Sequence, residues 1–351
     1  MQNSFPLFNL PYVALSLTTR MLIPTELTYL ALSSRKTYKM VKRLRIRNPN
    51  ISLEVSCSMH SSITVDTENE KSFTVFLVAR EKEIGYSDGS ILYLNFEKSV
   101  IPVKKTERGN LEVFWGDDTF PAIQKLSEFV SELFEIPIKK LYLSNENYKN
   151  DPKRIIDWLN SREETLEDCN FECCNTNSTE LKYFLDNLKI TKKLYLGVET
   201  TDDFRYNFRN PFEIDSVEIP DAKWPTIENL NQLNSRQLDM TETEFTNQEV
   251  NEFLKNWIGG MNSRLQFLHI GTELINTGQI TNGIEVTRRE HPDRVQYFYG
   301  DESPISFRYS IDITNDAGKI ASIIHDDRVD DEEFEFMMLA WPDWNGNEYS
   351  I

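Results

Sequence analysis

The residues able to do acid–base or nucleophilic chemistry are few and far apart in this chain. Four histidines, His60, His269, His291 and His325, are scattered over 351 residues. An activated serine or cysteine needs its base within hydrogen-bond reach, and the base needs a third group to orient it. No phosphate-binding P-loop, H-E-x-x-H helix or dinucleotide fingerprint supplies such a frame. His269, flanked by Leu268 and Ile270, reads as a half-exposed strand residue rather than a base. The cysteines are Cys57, Cys169, Cys173 and Cys174. The last three form C-x3-C-C with no histidine nearby, which lacks the paired spacing of a tetrahedral zinc site. The acidic run Asp326-Asp327 and Asp330 to Glu333 offers oxygen ligands for calcium, but without the spaced ligands and mid-loop glycine of an EF-hand it reads as a solvated loop. The expectation is a protein with no catalytic set, no cofactor and no metal.

Composition narrows the class. Hydrophobic residues at 39%, with 12% aromatic, suffice for a folded chain, and the length suits two domains or one elongated one. The net charge of −18 is unevenly placed. Residues 1–50 hold eight Lys/Arg against Glu26 alone, or +7, which leaves −25 for the remainder. So acidic a body is a poor ligand for nucleic acid, whose phosphates are bound chiefly by basic charge. The basic stretch 35–47 could be a nucleic-acid or import patch, but Met40, Val41, Leu44 and Ile46 interleave with its charges as in a helix with one solvated face. No apolar run reaches the ~20 residues of a membrane span. The N-terminal stretch carries Pro6 and Pro11 and no basic n-region, unlike a signal peptide. A cytoplasmic or nuclear protein, without disulfides and without membrane contact, is expected.

Three kinds of segment follow one another. Residues 5–47 are predicted helical: Leu10, Ala14, Leu17 and Met21 recur at helical spacing, and a second pattern starts at Pro24 with Leu27 and Leu30. So short a module cannot bury a full core alone and needs a partner surface. Residues 48–118 alternate with period two, as in Ile51-Leu53-Val55, Ile63-Val65, Phe73-Val75-Leu77 and Leu111-Val113-Trp115. Polar turns at Glu68-Asn69-Glu70, Ser87-Asp88-Gly89 and Glu107 to Asn110 separate them, which predicts a small antiparallel sheet. Residues 119–340 repeat. Helices over 121–134, 152–162, 178–188 and 246–258 alternate with strand markers at 141, 169, 194, 217, 238 and 267, which are 28, 25, 23, 21 and 29 residues apart. That spacing matches leucine-rich repeats, whose strand-plus-return units cover one another's apolar faces by stacking. Residues 341–351 form a tail.

Leu10-Pro11, then Pro24-x-Glu26-Leu27, then Leu32-Ser33-Ser34 and a basic helix resemble an F-box. It is the variety found in the large nematode families with a C-terminal F-box-associated domain of type 2. Ile155 to Leu159, Phe184 to Leu188 and the strand markers are similar to that domain. So is the tail pattern Ser310 to Thr314, Asn315 to Gly318, Lys319 to Ile323 and Phe334 to Met338. The resemblance implies an α/β chain: a helical F-box (5–47), a β-rich segment (48–118), then a leucine-rich-repeat-like solenoid with a closing β hairpin (119–340).

In function it implies a substrate-recognition subunit of an SCF (Skp–cullin–F-box) ubiquitin ligase. Leu10, Pro11, Leu15, Leu17, Pro24, Leu27 and Leu30 would bind the Skp-family adaptor and, through it, cullin. The repeats would hold a protein substrate through alternate strand positions such as Tyr142, Tyr195 and Gln266. Thr18 and Thr19 stand where the F-box pattern is apolar, and Ile23 where it is acidic. These departures favour a second reading, a protein-interaction module that no longer recruits the adaptor.

Overall fold

The computed structural model describes residues 7–44, 51–58, 60–67, 71–86, 90–96, 99–144, 152–173, 178–201, 204–208, 213–220, 223–298, 304–325 and 335–342. The chain divides into two compact units, Met1–Cys169 and Asn170–Ile351. The fold is mixed α/β: N-terminal helices precede sixteen described strands of mixed pairing.

The first unit opens with helices α1 (Tyr12–Arg20), α2 (Pro24–Ser33) and α3 (Arg35–Leu44). Strands β1 (Ile51–Cys57), β2 (Ser61–Thr67), β3 (Lys71–Arg80), β4 (Leu92–Phe96), β5 (Ser99–Lys105) and β6 (Leu111–Trp115) follow. Helix α4 (Phe120–Phe134), β7 (Ile138–Ser144), α5 (Pro152–Ser161) and β8 (Leu166–Cys173) complete it, the division falling inside β8. Its strands lie in the order β7-β1-β2-β3-β6-β5-β4. The predicted antiparallel sheet is therefore mixed: β1 and β7 pair in parallel, as do β3 and β6. Period-two alternation marks which face a strand buries but not its partner or direction.

The N-terminal helices find their partner surface within this unit. Ala31, Val41 and Leu133 form a buried cluster, and Leu27, Leu30, Tyr38, Phe129 and Phe134 pack around it. The Tyr38 and Phe129 rings lie 5.5 Å apart, and the Tyr29 hydroxyl donates to the Gly109 carbonyl. Gly109 sits at φ +86° in the β5–β6 turn, a left-handed conformation that favours glycine. Ser34 caps α3, its Oγ accepting from the Thr37 amide at 3.1 Å.

The second unit contains α6 (Ser178–Asn187), β9 (Ile190–Val198), β10 (Ser216–Glu218), α7 (Ile227–Gln232), β11 (Gln237–Phe245), α8 (Asn247–Ile258), β12 (Phe267–Thr272) and α9 (Thr277–Ile280). Strands β13 (Thr287–Tyr297), β14 (Ile305–Thr314), β15 (Ile320–His325) and β16 (Glu335–Trp341) follow. Strands β9, β10, β11 and β12 run in parallel, with Leu194, Val217, Leu238 and Leu268 in register. Their alternate residues are buried, as are Leu230 of α7 and Val250, Phe253, Leu254 and Trp257 of α8. Helix α8 starts as its sequence predicts: Thr246 Oγ1 accepts from the Glu249 amide at 3.2 Å, and Glu249 Oε2 accepts from the Thr246 amide at 2.8 Å. Gly260, at φ +96°, follows its end.

The closing strands are not a simple hairpin at the end of the parallel run. β14 and β15 form the predicted hairpin, but β16 inserts between β15 and β12 and pairs antiparallel with both. The order is β12-β16-β15-β14-β13. Edge strand β13 carries Arg288, Arg289, Glu290, Pro292, Asp293 and Arg294 around a register break, features that discourage edge-to-edge pairing. The turns at 68–70 and 87–89, Cys174, Ile46, the acidic run at 326–333 and the tail beyond 342 lie outside the described residues.

Candidate protein-binding surfaces

Neither His269 nor His291 is set up as a general base. His269 Nδ1 lies 3.4 Å from Asp239 and its Nε2 3.3 Å from Glu335, so both nitrogens face carboxylates. Burial disfavours the imidazolium, but the hydrogen bond and charge of Asp239, then Glu335, override it, and the pKa is raised. His291, Ser310 and Asp312 do come together in space. Ser310 Oγ donates to Asp312 at 3.2 Å and so accepts from His291 Nε2 at 3.2 Å. That polarity is the reverse of nucleophile activation, in which the serine proton goes to the histidine. Asp312 also accepts from Ser322 (2.8 Å) and Arg289 (2.5 Å), and Ser322 accepts from the Trp341 indole (3.0 Å). The network ties β13, β14, β15 and β16 together around the buried Phe267, Tyr297, Phe307, Leu339 and Trp341. Burial pushes the Cys57 thiol up to about 12 and Cys169 higher still, leaving both as unreactive core residues. Among the described residues no group of three His, Cys, Asp or Glu is arranged to hold a metal. No described helix is long and apolar enough to cross a membrane.

In the first unit, Leu92, Tyr93 and Val100 are exposed on β4 and β5, and a second exposed apolar surface belongs to α1. Tyr12, Val13, Leu17 and Met21 are 71, 68, 58 and 84% exposed, and the last three recur every four residues along one face. Leu17 and Pro11 are thus the exposed members of the sequence-derived set. Leu15 faces inward and is buried; Leu10, Pro24, Leu27 and Leu30 are half-buried, Leu27 and Leu30 against the cluster that holds Leu133 of α4. Helical spacing missed Tyr12 and Val13, because it marks a stripe without saying whether it meets a core or solvent.

Beside the stripe, α1 and α3 enclose a pocket of about 410 Å³ lined by Tyr12, Leu15, Met40 and Leu44 and rimmed by Lys36, Lys39 and Arg43. The unusual threonines do not open this helix. Thr18 Oγ1 donates to the Ala14 carbonyl at 2.9 Å, and buried Thr19 to Ser16 at 3.0 Å. Ile23 offers no capping side chain, but its amide donates to Glu26 at 3.1 Å, supplying half of a capping box.

In the second unit, the face of β9–β12 opposite the buried leucines carries a polar row in register: Tyr195, Glu218, Asp239 and His269. The sequence-derived Tyr195 lies in this row, half-buried. Gln266 lies one residue before β12 begins, its amide donating to the Arg236 carbonyl at 2.8 Å. Tyr142 is half-buried on β7 of the first unit, paired with Ser56. The marker at 267 is one residue early: Leu268 aligns with Leu238, so the row's member on β12 is His269.

A family profile described as "F-box associated" matches residues 206–270, from just before β10 through most of β12. One uncharacterized protein of Caenorhabditis elegans is 28% identical over 91 residues, covering 26% of this chain and 20% of that protein. Another is 23% identical over 277 residues, covering 76% of this chain and 61% of that protein. The chain thus spans less than two thirds of either relative's length. No solved structure matches it. What the comparisons establish is an F-box associated domain at residues 206–270 and a distant likeness to uncharacterized Caenorhabditis elegans proteins.

Proposed function

We propose that the chain is a non-catalytic substrate receptor of an SCF-type ubiquitin ligase. On this reading residues 8–47 dock on a Skp-family adaptor and thereby on cullin, and the leucine-rich-repeat-like region holds a target protein. The mechanism is proximity: a target fixed near the charged ubiquitin-conjugating enzyme reacts at a raised effective concentration, with no catalytic group supplied by this chain. The F-box associated match supports the reading by family association. The observation that carries it is the outward stripe Val13, Leu17 and Met21 beside a basic-rimmed apolar pocket. Contiguous exposed apolar surface rimmed by polar groups is characteristic of protein–protein contact.

The test is co-purification of the full chain with a Skp-family adaptor, beside the double variant Leu17→Asp/Met21→Asp. Both positions are exposed, so the fold should survive. Stoichiometric capture by the wild type, reduced at least about a hundredfold in the variant (two anchors at roughly 1.5–2 kcal/mol each), is the expected result. Capture of neither, or of both equally, rules out this docking face. A second reading, an interaction module that recruits no adaptor, draws on the inward Thr19 and Leu15. On that reading the stripe left outward belongs to some other protein contact.

A further inference from the structure

The polar row of the second unit is not uniform, and its first part is shaped. Gly197 on β9 is where the shaping originates. A Cβ built there would lie 2.9 Å from Tyr195 Cε1 and 3.3 Å from Glu172 Cγ. The tyrosine ring therefore lies along its own strand over the glycine, with Glu172 of β8 on one side. On the other side Glu218 stands directly across from Tyr195 in the β9–β10 register. Asp239 follows on β11, and Glu335 reaches the row from β16. Four carboxylates thus share this face with His269, which pairs with Asp239 and Glu335, and with Lys193, whose exposed ammonium lies 3.6 Å from Glu218.

We infer that this face takes a basic segment of a target protein, with an arginine or lysine side chain stacked on Tyr195 between Glu172 and Glu218. The inference rests on the reading of this region as the part that holds a target, and it names that target's chemistry. A cation over a tyrosine face is attracted by the ring quadrupole, and arginine stacks there with its planar fork still free to bond a carboxylate. A tyrosine flanked by acids is the complement of that side chain. An incoming guanidinium also has an exposed ammonium, Lys193, to displace from Glu218, which exchanges one ion pair for another rather than burying a bare charge. The surrounding acidic field raises the on-rate of basic partners and rejects phosphate-rich ones. From Tyr195 to His269 the row crosses three strand spacings, ~14 Å, which five residues of extended peptide (~16 Å) can follow.

The test uses the full-length chain and a fluorescent Gly/Ser dodecapeptide carrying three arginines, read by anisotropy. Matched peptides replace the arginines by citrulline, which keeps shape without charge, or by glutamate. The expected result is binding of the arginine peptide at least about tenfold tighter than the citrulline one and no binding of the glutamate one. Tyr195→Ala should cost roughly three- to thirtyfold, Glu218→Gln a similar factor, and Tyr195→Phe little, since the ring remains. Asp117→Asn, at an exposed carboxylate of the first unit, should change nothing. Absence of arginine-peptide binding overturns the inference. So does binding that Tyr195→Ala leaves intact, or that Asp117→Asn weakens equally. The assay contains no adaptor, so its failure leaves adaptor capture untouched, and loss of adaptor capture leaves this result standing.

Discussion

His269 is the residue whose charge state the fold most directly controls. Its imidazolium is stabilised by Asp239 and Glu335 against the cost of burial, and its pKa in the folded chain is raised. A raised value means that the contribution to stability is fully present below the unfolded-state pKa of about 6.5 and is lost as pH rises through the folded value. Urea unfolding of the wild type and of His269→Gln across this range should show the wild type's advantage shrinking as pH rises. An advantage that is flat or grows with pH would contradict the assignment. Little of this was legible in sequence. Leu268 and Ile270 identify a strand position with an outward side chain, and His269 has one. Its partners come from β11 and β16, and no local spacing rule links residues 239, 269 and 335. The placement of Gln266 has a similar origin: with period-two alternation, taking Phe267 instead of Leu268 as the marker moves the inferred position off the row.

At the level of elements, helices with long periodic stripes were readable and short ones were not. Val250, Phe253, Leu254 and Trp257, with the Thr246–Glu249 capping box, specify α8 almost completely. The six residues of α7 are too few for a period to declare itself, and its capping residue Thr226 had no stripe to mark. The connections between elements are held by buried asparagines, which carry no periodic signal. Asn262 Nδ2 donates to the carbonyls of Leu230 and Leu233 at 2.9 Å each, tying the turn after α8 to the end of α7. Asn251 Nδ2 does the same toward Ile280 (2.8 Å) and Asn282 (3.0 Å) beyond it. Each ties an irregular return to its neighbour. Asn262→Ala strands two carbonyls and should cost about 1–3 kcal/mol in denaturant unfolding. An unchanged midpoint would show the turn to be held by packing alone. The same scale explains why the threonines of α1 are tolerated: their hydroxyls bond back to Ala14 and Ser16, so neither enters a core unsatisfied.

For the whole molecule, the sequence supports the order of segments and the charge asymmetry, from a basic helical start to an acidic body. Sheet topology was the least legible level, because strand direction and order are set by connections over long separations. Phe336 to Met338 announce a strand, but nothing near them says that it lies between β15 and β12. Ending the chain after residue 334 should therefore remove more than one strand's worth of structure. Hydrogen exchange of that truncated chain is expected to show lost protection in β15 and on the open side of β12, while α4 and the strands of the first unit stay protected. Protection retained in β15 would mean that the hairpin holds without its bridge.

The insertion of β16 also fixes an order of events during synthesis. Both of its neighbours leave the ribosome first, and residues 273–334 must be made before the bridging strand exists. At roughly 5–20 residues per second, β12 waits for seconds with the edge that β16 will fill unpaired, in a strand that carries Phe267, Leu268 and Ile270. Such an edge is an invitation to other unfinished chains. A nascent copy of this protein is therefore most exposed to mispairing in that interval, and crowded polysomes, rather than heat or denaturant, are where a weakened β16 would first show its cost.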